Sequence, residues 1–327
     1  MVTLGDGGVM TTADATFPGF PGGIHVPLVT PFAADGSVDA GALESLAHDL
    51  LDRGATGLVA LGTTGEPAAL DPAERRLVTD TAARVCRERS ARLTVGVTTN
   101  DTRAAAEEIR ALAALPSPCA ALVPVPYFTR PTEDGVVAHY AHVTAAAPDV
   151  PVIVYNIPYR TGRTVGQATI RRLAALPGVA GIKQAVGAVD ADTVALLADP
   201  PPGFAVLAGD DAFAPALLAL GAAGGILASA HLATESYVRL LTAWRDGDMA
   251  HARALGGVLT GLATAAFAEP NPTVVKGVLH AQGRIPTAAV RLPLLPASPA
   301  AVEAAARHVH ILADRAGSPA LASLTRA

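Results

Sequence analysis

The chain has 327 residues, 50% of them hydrophobic, 16% charged and 4% aromatic, so it can bury a large core as one α/β barrel or as two smaller domains. A net charge of −5 excludes any general pull toward nucleic acid or an anionic membrane. The two cysteines, Cys86 and Cys119, make neither a metal pattern nor a disulfide framework, and a reducing cytoplasm is the expected location.

Residues 1–20 contain no lysine or arginine and no sustained apolar block, and read as a flexible N-terminal extension rather than a signal peptide. From Gly23 onward one unit repeats: a short β-rich run, a loop with Gly, Thr, Asn or Pro, then a helical stretch. The expected strands are Ile24–Val29, Gly57–Leu61, Leu93–Val97, Ala120–Val125, Val152–Tyr155, Val179–Lys183, Ala205–Ala208 and Gly225–Ala228. Helix starts are marked between them, most sharply at Asp71-Pro-Ala-Glu74, where Asp caps, Pro takes the first helical position and Glu follows three residues on. The uncharged run Ala212–Ala230 is long enough to raise a membrane span, but Pro215 and the Gly221–Gly225 cluster split it into a short helix and a short strand.

Strands that are short, apolar on both faces and separated by helices point to a parallel sheet covered by helices on its outside. Eight of them close most economically into a (β/α)8 TIM barrel, here residues 21–247. Residues 248–327 read as a C-terminal helical region packed on the barrel, with a Pro-rich break at Arg291-Leu-Pro-Leu-Leu-Pro296.

The residues that carry chemistry follow from this layout, because the C-terminal ends of barrel strands share one face. In Val179-Ala-Gly-Ile-Lys-Gln-Ala-Val-Gly187 a lone lysine ends an apolar strand. Either Lys183 reaches past the strand end to water or an ion pair, or its pKa falls and it becomes a nucleophilic amine. The same face gathers Gly62, Thr63, Thr64, Tyr127, Tyr155, Arg160 and Asp210-Asp211. Tyr155 is placed to move protons, with Thr63 hydrogen-bonded to its hydroxyl. The N–H groups of Thr63 and Thr64 can hold one carboxylate, and Arg160 can clamp a second. Asp210-Asp211 is expected to cap the seventh helix. His139 and His142, three apart on a helix, lack a third ligand nearby and read as structural, as do His308 and His310; His231 reads as packing at a helix start. The Gly221–Gly225 cluster lacks the spacing of a dinucleotide fingerprint.

Gly62-Thr-Thr-Gly-Glu66, Tyr155-Asn-Ile-Pro158 with Arg160-Thr-Gly162, Gly181-Ile-Lys183, Gly209-Asp-Asp211, Asn271-Pro272 and Arg291-Leu-Pro293 together resemble the dihydrodipicolinate synthase and N-acetylneuraminate lyase superfamily of class I aldolases. The resemblance runs from about Gly23 to Pro296 and implies a (β/α)8 barrel, a Schiff base between lysine and pyruvate, no metal or separate cofactor, and a homotetramer built as a dimer of dimers. It implies Lys183 as the Schiff-base lysine, Tyr155 as proton shuttle and Thr63 as relay hydroxyl. Thr64 would grip the pyruvate carboxylate, and Ile226 would turn its backbone toward the site. Arg160 places the chain nearest the synthase branch, where that arginine holds the carboxylate of aspartate semialdehyde.

Three departures from the resemblance bear on function. Phe128 stands where such synthases have a second tyrosine that reaches a neighbouring subunit's site, so either water or Tyr127 substitutes for it or the chemistry differs from standard synthesis. Gln184 stands where an acidic residue is common in synthases, a feature nearer the lyases. Where the resemblance implies residues that grip inhibitory lysine, Pro67 replaces a serine, Pro72 and Arg75 replace histidines and Ala104 replaces a glutamate, which implies an enzyme insensitive to lysine. The expected activity is condensation of pyruvate with aspartate semialdehyde. The alternatives are an aldolase or dehydratase acting on a 2-keto-3-deoxy sugar acid, and a catalytically weakened 2-oxo-acid binding protein.

Overall fold

The computed structural model describes residues 22–115 and 119–316, so the expected extension at residues 1–20 lies outside the described residues. Eight strands are present: β1 (Gly23–Pro27), β2 (Gly57–Ala60), β3 (Arg92–Gly96), β4 (Cys119–Pro124), β5 (Val152–Asn156), β6 (Val179–Gln184), β7 (Ala205–Ala208) and β8 (Gly224–Ile226). Each pairs in parallel with the next, and β8 closes on β1. With a helix after every strand, this is the (β/α)8 barrel that the alternation predicts.

Strand alternation divides the core in two. Val59, Leu122, Ile153, Tyr155, Leu207 and Ile226 belong to a cluster that fills the barrel interior. Val26, Leu58, Ile182 and Val206 face outward and pack with helical residues such as Leu43, Val78 and Ile109. The helix starts lie where their capping residues predict. Asp71 Oδ1 accepts from Glu74 N at 2.8 Å while Glu74 Oε2 accepts from Asp71 N at 3.0 Å, so the helix Pro72–Glu88 opens on a complete capping box.

The barrel ends differ from the expected spans for local reasons. β1 stops at Pro27 rather than Val29, and the Val29 N–H donates instead to His231 Nε2 at 3.2 Å. β8 stops at Ile226 because the chain then turns into the helix Ala230–Arg245, with Ala230 N donating to Leu227 O at 3.3 Å. The loop after β5 contains a helical turn, Pro158–Thr161, that periodicity did not reveal; Pro158 opens it and Gly162, at φ 68°, ends it.

Beyond the barrel lie the helices Met249–Ala266, Thr273–Ala281 and Pro299–Ala316. They are less of an appendage than their position in the chain suggests, for the second helix and the stretch that follows it return to the loop after β1. Thr287 Oγ1 donates to Phe32 O at 2.7 Å, and Lys276 Nζ donates to Thr30 O at 2.9 Å. Among the described residues no helix is long and apolar enough to cross a membrane, and Ala212–Ala230 divides into the helix Ala214–Ala219 and β8 as expected.

Candidate active site

Tyr155 and Lys183 are partners in the β5–β6 register, so the same alternation turns both side chains into the barrel. Lys183 Nζ lies 4.3 Å from the centroid of the Tyr155 ring. The lysine stem runs past β7 at Gly209, where a Cβ would stand 2.8 Å from Lys183 Cγ, so this position has room only for glycine. Lys183 is 6% exposed, and burial pushes its pKa down to about 8, against the pull of the Asp211 carboxylate. Burial pushes the Tyr155 phenol up to about 12, opposed by a hydrogen bond from the Thr63 side chain. The geometry therefore offers a partly neutral amine beside a protonated phenol.

The turn after β2 supplies the opposite wall. Thr63–Gly65 form a single 3-10 turn whose first intraturn donor is Gly65 N, to Gly62 O at 2.9 Å, leaving the N–H groups of Thr63 and Thr64 ahead of it. The turn is bracketed by two non-glycine residues in the left-handed region, Leu61 and Glu66, both at φ 54°.

A small cavity of about 20 Å³ is enclosed by Thr63, Thr64, Tyr155, Lys183, Asp211 and Ile226. Thr63, Tyr155, Arg160 and Asn271 border both it and an open cleft of about 460 Å³, which Gly62 and Tyr127 also line. Lys183, Tyr155, Thr63, Thr64, Arg160 and Ile226 thus border the small cavity, and Gly62 and Tyr127 the cleft beside it. Tyr127 is anchored by its hydroxyl, which donates to Thr98 O at 3.0 Å. Arg160 is exposed, with Cζ 5.3 Å from the Tyr159 ring centroid. Phe128 borders neither space; its ring is 87% exposed and its φ is 67°.

Two sequence readings change. Asp210 and Asp211 do not cap the seventh helix: no side chain caps the 3-10 turn Asp211–Phe213 that begins it. Asp211 instead turns inward, its Oδ2 accepting from both Ser229 N and Ser229 Oγ at 2.6 Å, and burial pushes its pKa up to about 6. Asp210 Oδ2 accepts from Gly187 N at 2.5 Å. Gln184 follows Lys183 on the outer side of β6, where its Oε1 accepts from Asn156 Nδ2 at 3.0 Å and its Nε2 donates to Thr193 Oγ1 at 2.9 Å. It faces away from the cavity, so its identity does not select a substrate by contact. Sequence reasoning also gave no role to Asn271, whose Nδ2 donates to Thr64 Oγ1 at 3.0 Å. It belonged to a quoted motif, but its place far along the chain gave no sign of which barrel loop it meets.

His231 and His139 are both engaged within the fold. His231 bridges Val29 N and Ala228 O, while His139 Nδ1 meets Thr102 Oγ1 at 2.9 Å and burial pushes its pKa down to about 4. Among the described residues no three His, Cys, Asp or Glu side chains are grouped to hold a metal ion.

The model of the dihydrodipicolinate synthetase family matches residues 20–312. This chain belongs to that family. Enzymes of the dihydrodipicolinate synthetase family are class I, Schiff-base lyases, and this chain is one of them. It is 39% identical over 277 residues to the 4-hydroxy-tetrahydrodipicolinate synthase of Moorella thermoacetica, covering 85% of this chain and 93% of the relative. To the 4-hydroxy-tetrahydrodipicolinate synthase 2 of Clostridium acetobutylicum it is 36% identical, over 84% of this chain and 95% of the relative. Among solved structures, the chloride-inhibited dihydrodipicolinate synthase of Acinetobacter baumannii, complexed with pyruvate, superposes with a TM-score of 0.84 at 34% identity, covering 89% of this chain and 100% of that one.

Proposed function

We propose that the chain condenses pyruvate with aspartate semialdehyde, in the manner of a 4-hydroxy-tetrahydrodipicolinate synthase, through a Schiff base on Lys183. The observation that carries this reading is Lys183 Nζ, desolvated and 4.3 Å from the Tyr155 ring centroid, facing a turn that offers N–H groups to a carboxylate. The neutral amine adds to C2 of pyruvate. The Tyr155 hydroxyl gives its proton to the former carbonyl oxygen, which leaves as water when the iminium forms. The iminium draws electrons from the methyl group, whose proton returns to the Tyr155 phenolate to give an enamine; the enamine carbon then bonds to the aldehyde carbon as the Tyr155 hydroxyl protonates the aldehyde oxygen and the iminium on Lys183 re-forms. Thr63 and Thr64 hold the pyruvate carboxylate, Ile226 closes the barrel side of the cavity, and Gly62, Tyr127 and Arg160 shape the entry for the aldehyde, with Arg160 pairing with its carboxylate.

No separate cofactor enters this scheme, because the lysine itself supplies the electron sink. We place the enzyme in the cytoplasm, as a homotetramer with the barrel at residues 21–247 and the helical region at 248–327, and its partners are the two small substrates rather than nucleic acid or membrane. Phe128 supports a second reading, an aldolase or dehydratase for a 2-keto-3-deoxy sugar acid, since it brings no hydroxyl to a relay. Borohydride reduction with pyruvate, followed by peptide mapping, tests the first half: failure to add mass at Lys183 removes the mechanism. Steady-state assays with aspartate semialdehyde beside a panel of keto-deoxy acids separate the two reactions.

A further inference from the structure

Glu66 ends the turn that carries Thr63 and Thr64, in a left-handed conformation that a residue with a Cβ adopts only where its surroundings hold it. Its carboxylate is turned into the protein, with the side chain 2% exposed. Oε1 accepts from Lys276 Nζ at 2.8 Å, and Oε2 accepts from Arg291 N at 2.9 Å. Lys276, wholly buried, also donates to Thr30 O at 2.9 Å and lies 4.1 Å from the Phe32 ring centroid. Thr30 Oγ1 in turn donates to Gly65 O at 2.7 Å, and Asn271 Nδ2 donates to Thr64 Oγ1. Three successive residues of the turn, Thr64, Gly65 and Glu66, are thereby fixed to residues 271–291, directly or through Thr30.

A buried ion pair stabilises a fold little better than apolar side chains of the same size, so stability alone gives no reason for this one. Its location does. Lys276 is one of the chain's two lysines, the other being Lys183, and its partner Glu66 closes the turn that offers N–H groups to the substrate, with Glu66 N donating to Thr63 O at 3.2 Å. We infer that Glu66 and Lys276 are positioning residues that set the Thr63–Thr64 turn for the carboxylate of the 2-oxo acid, making the C-terminal segment part of the substrate site. The inference rests on the Schiff-base reading above, and it assigns the pair no contact with substrate.

The test compares the parent chain with Glu66→Gln and with Glu66→Gln/Lys276→Met, the second removing both charges so that neither is left buried alone. Adduct formation at Lys183 is followed by borohydride trapping with pyruvate and with its neutral methyl ester. In the double variant Lys183 is the only remaining lysine. The double variant melts near the parent, whereas the pyruvate concentration for half-maximal trapping rises about tenfold, as for one lost charge-assisted hydrogen bond, and that for the ester changes less than about twofold. Half-saturation by pyruvate within about twofold of the parent in the folded double variant overturns the inference, and so does an equal loss with acid and ester. Absence of any adduct at Lys183 in the parent overturns the Schiff-base reading itself.

Discussion

Asn156 Nδ2 donates to Gln184 Oε1 at 3.0 Å, so the residues that directly follow Tyr155 and Lys183 are tied together on the outer side of the barrel. Gln184 is 2% exposed and extends the tie to Thr193 in the next helix. Its replacement by alanine strips a partner from two buried polar groups at once, an expected cost of about 1–3 kcal/mol in stability. Because the bridge joins the strands that end in the catalytic pair, Gln184→Ala also lowers kcat several-fold with little change in the KM for pyruvate. Thermal melting together with steady-state kinetics checks both.

The second prediction concerns pH. With the Lys183 pKa near 8, about a tenth of the amine is neutral at pH 7, and the trapping rate with pyruvate rises roughly tenfold between about pH 7 and 9. Below about pH 6 the Asp211 carboxylate takes up its own proton, its attraction for the ammonium is lost, and the decline becomes shallower. Asp211→Asn moves the whole limb to lower pH. The effect on stability has a definite sign: an unfolded lysine, with its pKa near 10.5, binds more protons than buried Lys183 between about pH 8 and 10.5. This group's contribution to stability therefore increases as pH rises through that window. Stopped trapping reactions across the range, and melts on the alkaline side, measure the two effects.

Much of the barrel and the cavity was legible because both depend on periodicities that survive in sequence. Strand-length apolar runs and capping residues located the elements, and the barrel rule brought Lys183, Tyr155, Thr63, Thr64 and Arg160 to one face. What stayed hidden depends on which way a side chain turns or on contacts across the chain. Asp211 has the local look of a cap, yet its partner is Ser229 on the neighbouring β8 loop. Gln184 looks like a substrate neighbour until the strand's alternation places it outside. Lys276 carries the same signature as Lys183, a lone lysine in an apolar run, but it meets Glu66, 210 residues away in sequence. One rule covers both lysines: a buried ammonium finds a counter-charge or yields its proton.

Arg160→Ala is expected to act on the acceptor rather than on pyruvate. The guanidinium borders the cleft, is exposed, and stands over the Tyr159 ring, and among the described residues no carboxylate forms an ion pair with it, which leaves it available to a substrate anion. Loss of a bidentate contact to a carboxylate corresponds to about 1.5–3 kcal/mol, so the KM for aspartate semialdehyde rises about 10- to 100-fold. Trapping of Lys183 by pyruvate alone stays within about twofold, since the first half-reaction does not use the arginine. A keto-deoxy acid whose turnover survives the substitution would favour the second reading of the acceptor.

Lysine is expected to leave the rate unchanged. Arg75, where the resemblance implies a histidine, directs its Nε to Pro67 O at 3.1 Å, so this backbone acceptor is already engaged within the chain. Pro67 has no hydroxyl to offer, Pro72 has no imidazole, and Ala104 presents a methyl group where the resemblance implies a carboxylate. A charged amino acid moving from water to such a surface surrenders hydration without gaining matching partners. Initial rates titrated with lysine at saturating and subsaturating pyruvate should coincide with the lysine-free curve. Arg75→His alone should not create inhibition, because the hydroxyl and carboxylate partners would still be missing; inhibition of the parent chain at physiological lysine would show that other residues form the site.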